Sequence, residues 1–165
     1  MKRFGILLVL MLCCGVLYAQ TTTKTTNSLS FCGIPFGIDA EEFEKRTDGL
    51  EDSIIQMVGA EKGYVSKANV NLPYKARPKI ACTLEVSMGD SYGTWILGGF
   101  NLLKNMLAIK YGKYQEFTDV KGRKMYVWRL PYGEVSLHRS EEDAVIRYCD
   151  YNAIKKAFPS LSTMF

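Results

Sequence analysis

The chain is poor in the residues on which most enzyme and metal chemistry is built. It has one histidine, His138, in 165 residues. Catalytic triads and zinc sites draw on histidine with partners at set positions. None of the five cysteines forms a C-x-x-C pair, and after export only Cys32, Cys82 and Cys149 would remain. That combination argues against a dedicated metal site, and no cofactor motif stands elsewhere. The glycine-rich stretches GIPFG (33–37) and GDSYGTWILGG (89–99) are not followed by the Gly-Lys-Ser/Thr of a phosphate-binding loop. The second precedes a helix, whose N–H groups can meet an anion. A turn with a close helix–sheet approach also explains its glycines. Charge of one sign is scarce as well. The net charge is +4, too weak and scattered for a nucleic-acid footprint. Only one long apolar run occurs, which excludes a polytopic membrane protein.

That run stands at the N-terminus and reads as an address. Lys2 and Arg3 give a positive flank, and residues 4–17 are apolar and uncharged. Ala19 and Gln20 then lead into a Thr-rich polar tract. This is the layout of a secretory signal peptide, with cleavage expected after Ala19. The run is about 15 residues, against roughly 20 for a bilayer span. No stable transmembrane span is therefore expected after processing. Leu17 is large for the position two residues before Ala19. Acylation at Cys13 or Cys14 competes as a lipoprotein reading, although neither follows a small residue. The expected product is exported, periplasmic or secreted. It has a flexible lead-in over residues 20–28 and a single domain over residues 29–165. Three cysteines remain in a compartment that permits disulfides, so at most one intramolecular bridge can form. The spacing does not rank the three pairings, and three structural thiols without a bridge is the favoured state.

The domain reads as α+β. Phe31 to Gly37 is an opening strand or a loop plugged into the core. Asp39 is a candidate N-cap, with Glu41 and Glu42 in the first turn and Gly49 as the stop. Leu50 to Val58 fits either a helix or a strand. Tyr64 to Leu72 reads as a strand. Ile80 to Met88 alternates strictly, which places Ile80, Cys82, Leu84, Val86 and Met88 on the buried face. A second helix runs from Ile96 or Asn101 to Tyr111. Its expected apolar face is Leu102, Leu103, Met106, Leu107 and Ile109, with Lys104, Asn105 and Lys110 outward. Three antiparallel runs follow: Lys124 to Leu130, Glu134 to His138, and Ala144 to Tyr151. Pro131-Tyr132-Gly133 and Ser140 to Asp143 are the turns between them. Phe117 and Val120 mark a short extra strand, and Asn152 to Phe158 a terminal helix. The expected architecture is one twisted antiparallel sheet with helices packed on one face, with a division into two loosely similar halves as a secondary reading.

FCGIPFGIDAEEFEK (31–45), LLKNMLAIKYGK (102–113) and MYVWRLPYGEVSLHRSEEDAVIRYCDY (125–151) together resemble small exported bacterial proteins of uncharacterised function. The shared features are a G-x-P-F-G lead into the first helix, a K-Y-G helix end, a Y-x-W strand and a Y-x-D strand end. The resemblance covers residues 31–158. It implies a compact exported α+β domain and carries over no catalytic residue.

Three groups are candidates for chemistry. His138 and Cys149 fall on neighbouring strands, as a thiol–imidazole pair would, but the apolar company of Cys149 predicts burial. Glu41, Glu42 and Glu44, and Glu141 to Asp143, are carboxylate clusters at a helix start and in a hairpin turn, where solvated acids are ordinary. Tyr126, Trp128 and Tyr132 are the candidate ligand-binding residues. If Tyr126 and Trp128 share an outer sheet face, they offer an aromatic patch to a sugar, a peptide or a protein. If the second helix covers that face, they are core. The leading functional expectation is an exported non-enzymatic module that binds a protein or envelope ligand. A small cell-envelope hydrolase and an inhibitor-like or immunity-type protein are the alternatives.

Overall fold

A computed structural model describes residues 28–59, 67–71, 79–89, 96–140 and 143–159. The expected signal peptide, most of the lead-in, Cys13, Cys14, Glu141 and Glu142 lie outside the described residues.

The chain opens with a small hairpin, β1 (Ser30–Phe31) and β2 (Ile34–Pro35). Its two turn residues, Cys32 and Gly33, both have positive φ, 48° and 80°. That is the pattern of a type I′ turn, whose twist matches antiparallel strands. The opening segment is thus a hairpin, and Phe31, Ile34 and Phe36 drive it into the core. Helix α1 (Ala40–Thr47) starts where expected, with the Asp39 carboxylate accepting from the backbone N–H groups of Glu41 and Glu42. Gly49, at φ 75°, turns the chain into α2 (Leu50–Gly59). The ambiguous segment is therefore helical.

The remaining elements are β3 (Lys67–Asn71), β4 (Thr83–Gly89), α3 (Ile96–Tyr111), β5 (Gln115–Thr118), β6 (Lys124–Leu130), β7 (Gly133–Arg139), β8 (Asp143–Asp150) and α4 (Tyr151–Ala157). The six longer strands form one antiparallel sheet in the order β3-β4-β8-β7-β6-β5. The long-range step is β4 against β8, with Leu84 opposite Tyr148 and Val86 opposite Ile146. It joins the β3–β4 pair to the C-terminal meander. Side chains alternate across a sheet, so the register assigns every strand residue to one of two faces. Leu84, Val86, Met88, Tyr126, Trp128, Val135, Leu137, Ala144, Ile146 and Tyr148 share one face, and all belong to the hydrophobic core. Phe43 of α1, Ile54 of α2, Leu103 and Leu107 of α3 and Ala153 of α4 join the same cluster. The fold is α+β, an antiparallel sheet with its helices on one face.

Two expectations are corrected. Ile80 is half-buried and outside the β4 ladder, bridged instead to Asp39. The cause is local: Ala40 N–H donates to the Lys79 carbonyl and Ala81 N–H to the Ile38 carbonyl, which pulls the chain toward the start of α1. Helix α3 also buries less than its apolar face offers. Leu103 and Leu107 are core, but Leu102 is 38% and Ile109 78% exposed. Lys104 is half-buried instead of outward, its Nζ 4.8 Å from the Tyr126 ring centre. At roughly 100° per residue, Leu102 and Ile109 lie well round the helix from Leu103 and Leu107, beyond the arc that one sheet can cover.

One end of the core is closed by a buried carboxylate. Asp150 has no exposed surface. It accepts from Leu29 N–H at 2.6 Å, from Ser28 Oγ at 2.9 Å and from Ala153 N–H at 2.7 Å, the last as N-cap of α4. Its own N–H donates to the Cys82 carbonyl. One side chain thus ties the first described residues to the last helix. Gly133 sits beside this clasp because nothing larger fits. A Cβ there would stand 2.6 Å from the Cys149 carbonyl oxygen and 2.7 Å from Leu29 Cδ1.

Candidate functional site

The aromatic candidates separate. Trp128 has no exposed surface, and its Nε1–H donates to the Gly112 carbonyl at 3.0 Å, just past the end of α3. Tyr126 is buried beside it, against Phe100 of α3 and Tyr114. Tyr114 also meets Trp128 edge to face, with centroids 5.4 Å apart. Tyr132 lies partly exposed in the β6–β7 turn and packs against the core cluster from outside. The helix-covered placement therefore holds for Tyr126 and Trp128, and a ligand reaches neither without lifting α3. The physical reason is register. The turn has two residues, Pro131 and Tyr132, so Leu130 pairs with Gly133 and Trp128 with Val135. A three-residue turn shifts the pairing by one and sends the aromatics to the other face.

The opposite face contributes nothing to the core cluster. Its residues, row by row, are Glu85, Arg147, Ser136 and Val127, and beside them Ser87, Val145, His138 and Met125. Phe117 of β5 stands opposite Met125 and continues the second row. Val127, Ser136, His138 and Val145 in the centre are nonetheless buried. Charged pairs surround them. Arg147 Nε is 2.6 Å from Glu85 Oε2, and Arg129 Nε is 3.5 Å from Glu134 Oε2. The Arg129 guanidinium also lies 5.2 Å from the Phe117 ring centre, so its arm extends past Val127. At the β5–β6 turn, Arg123 pairs with Asp119 at 2.7 Å. The Asp119 carboxyl is held below its ordinary range chiefly by the N–H of Arg123.

His138 lies at the middle of this face. It is 5% exposed, and its Nδ1 has no hydrogen-bond partner among the described residues. Burial pushes its pKa below the usual imidazole value, and the cations of Arg147 and Arg123 push the same way. It is therefore neutral at physiological pH. Its side chain is an acceptor or donor waiting inside a ring of guanidinium–carboxylate pairs.

The other sequence candidates do not assemble into reacting constellations. His138 pairs with Val145, four residues along β8 from Cys149. At about 3.4 Å per residue, that is more than 10 Å of strand, far beyond a proton-transfer contact. Burial and Glu134 raise the Cys149 thiol to about 11, so it is protonated and a poor nucleophile at neutral pH. Cys82 is buried, with its pKa also raised by burial, and Cys32 is exposed at the hairpin tip. Glu41 and Glu44 line a cleft of about 470 Å³ between the helices and the sheet, together with Asp48, Glu51 and Lys45. Glu42 is spent on an ion pair with Arg46. Thr47, also on the cleft, donates its hydroxyl to the Phe43 and Glu44 carbonyls. No group of three His, Cys, Asp or Glu that could hold a metal occurs among the described residues, and no helix among them is long and apolar enough to cross a membrane.

The outer face was not singled out as a site in the sequence, although its signal is present. Val135 and Leu137 read as inward, which by alternation turns Glu134, Ser136 and His138 outward. Comparison with protein-family models, with curated proteins and with solved structures finds no match to this chain.

Proposed function

We propose that this chain is an exported, non-enzymatic binding module that receives a protein partner on the outer face of its sheet. The signal-peptide layout of residues 1–19 supports export, in keeping with the resemblance to small exported bacterial proteins. The observation that carries the binding assignment is the face itself. Among the described residues the helices that join the core cluster pack on one side of the six-stranded sheet, and the other side carries arginine–carboxylate pairs around a small buried centre. Arginine and aromatic residues at the edge of a partly apolar centre are the composition of protein interfaces. Arg129, Arg147 and Phe117 supply it here. Each pair is only partly desolvated, so a partner can trade one carboxylate for its own at little cost.

The test is affinity capture from the envelope fraction of the exporting cell, with wild type and with an Arg129→Glu, Arg147→Glu double variant. The expected result is a protein retained by wild type and lost from the variant, whose fold is intact by circular dichroism. A partner held equally by both, or a small molecule turned over by both, contradicts the assignment.

A further inference from the structure

Strand β5 is one of the two edges of the six-stranded sheet, and all four of its residues are exposed. Its hydrogen-bond phase follows from the β5–β6 turn. Asp119 N–H donates to the Arg123 carbonyl and Gly122 N–H to the Asp119 carbonyl, with Gly122 at φ 78°. That is a type I turn closed by a glycine bulge, and it makes Asp119 and Arg123 a hydrogen-bonded pair. Bonded and non-bonded pairs alternate along an antiparallel ladder. Phe117 and Gln115 therefore bond to Met125 and Val127 of β6, and Glu116 and Thr118 direct their N–H and C=O groups to the open edge. Edge strands are ordinarily guarded by a lysine, a proline or a bulge. Gln115–Thr118 holds neither lysine nor proline, and its one charge, Glu116, is matched by Lys124 Nζ at 2.7 Å. Large apolar side chains stand exposed along this edge and at its ends: Tyr114, Phe117 and Val120.

We propose that the chain pairs with a second copy of itself through β5, antiparallel and centred on Phe117, so that two six-stranded sheets become one. The occupant follows from the symmetry of the edge. A two-fold axis at Phe117 sets Glu116 of each copy opposite Thr118 of the other. These are the residues whose backbone groups face outward, so each opposed pair exchanges both N–H···O bonds. Phe117 meets its own image at the non-bonded position, where side chains are closest and an aromatic pair stabilises a sheet. Tyr114 and Val120 lie three residues either side of Phe117, so each comes beside its counterpart across the axis. Other centres fail. A centre at Glu116 opposes two carboxylates, which is destabilising, and a centre at Thr118 runs the pairing into the turn at Asp119. An unrelated strand meets the backbone groups alone, whereas the match on both sides of Phe117 is to this chain's own sequence. Helix α3 packs over β6, β7 and β8, so the helical layer does not block β5. Lys113 of one copy and Lys121 of the other fall beyond the bonded rows and oppose the pairing there. Two four-residue strands cover less than the roughly 1,200–2,000 Å² of stable complexes. The dimer is therefore reversible, forming at about 10–100 µM and above. The axis is perpendicular to the sheet, so the two outer faces lie side by side.

The test is sedimentation equilibrium of residues 20–165, which retain every core-cluster residue, under reducing conditions so that the exposed Cys32 forms no bridge. Between about 5 µM and about 1 mM, the range in which small interfaces form and dissociate, the average mass should rise from one chain toward two. Thr118→Pro removes an edge-facing N–H from each copy and no ladder bond, as edge prolines do. Two lost hydrogen bonds per dimer should raise the dissociation constant by at least about tenfold, with the circular dichroism spectrum unchanged. Phe117→Lys, which sets two cations face to face at the axis, should do the same. In a Cys32→Ser background, Phe117→Cys should oxidise to a covalent dimer, because non-bonded partners have Cα atoms about 4.5 Å apart, within disulfide reach. Thr118→Cys, which faces Glu116 of the other copy, should not. A mass of one chain across the whole range overturns the proposal. So does a dimer that both edge variants leave intact, or one that crosslinks at residue 118 and not at residue 117. The measurement uses this protein alone, so it does not turn on the outer face, whose own test is capture of a partner.

Discussion

The two faces of the sheet are built from the same strands and obey opposite rules. On β7, Val135 and Leu137 have no exposed surface and sit in the main core, whereas Ser136 and His138 alternate with them on the other side. On β6, Trp128 is core and Arg129, its neighbour, is exposed. The inner face spends large apolar side chains against four helices. The outer face spends ion pairs that water already screens. Stability should therefore reside on one face and recognition on the other, and substitutions can separate them.

The largest effect belongs to the inner face. Trp128→Ala removes a buried indole and orphans the Gly112 carbonyl, and Leu84→Ala leaves a cavity. Urea unfolding should show losses of about 3–5 kcal/mol for the first and about 2–5 kcal/mol for the second. Thr83→Ala, one residue away on the outer face, should cost under about 1 kcal/mol. Arg147→Ala should do the same, since it breaks only a half-exposed pair. Equal losses at Leu84 and Thr83 would break the comparison.

The next effect is at the clasp where the two faces end. Asp150→Ala leaves the N–H groups of Leu29 and Ala153 without their acceptor in a buried site. Stability should fall by about 2–4 kcal/mol. Amide exchange should rise first in the β1–β2 hairpin and α4, the two elements that the carboxylate joins. Exchange that rises evenly across the sheet would mean that the clasp is not a local tie.

A smaller effect sharpens the outer face. His138 has a folded-state pKa below its unfolded value of about 6.5. The unfolded chain then binds a proton that the folded one resists, so stability falls as pH drops. The contribution is complete above about pH 6.5 and is lost as pH falls from there through the lowered value. Glu85 and Asp119, which raise the imidazole pKa, limit the shift. Melting temperatures between pH 8 and pH 5 should decline in wild type, and His138→Asn should flatten that part of the curve. Parallel curves would remove the buried neutral imidazole from the account.

Much of this was legible in the sequence, and the failures have physical causes. The alternation from Thr83 to Met88, the Asp39 cap and the Gly49 stop are local signals, and each appears where expected, whereas Ile80, at the start of the same alternating run, is drawn off to Asp39. The pairing of β4 with β8 is not local. Nothing near either strand marks the other, and only packing in three dimensions joins them. The aromatic site turned on a single residue of turn length. Reading Pro131-Tyr132-Gly133 as a three-residue turn leaves Trp128 without an assigned face. The two-residue turn places it opposite Val135, whose inward direction the alternation of β7 already gave. The apolar stripe of α3 was visible too. What the sequence does not state is how wide an arc of a helix its sheet will cover.

The central claim is that recognition lies on the outer face of the sheet. Site-specific photocrosslinking tests it most directly. A benzophenone amino acid replaces Arg129, Arg147 or Glu85 on the outer face, and Lys45 or Lys155 on the helical layer, all positions outside the core. After irradiation in the exporting cell, the outer-face positions should give a discrete higher-mass product with one protein, and the helical positions should not. Crosslinks to that protein from Lys45 or Lys155, with none from Arg129, Arg147 or Glu85, would contradict the account.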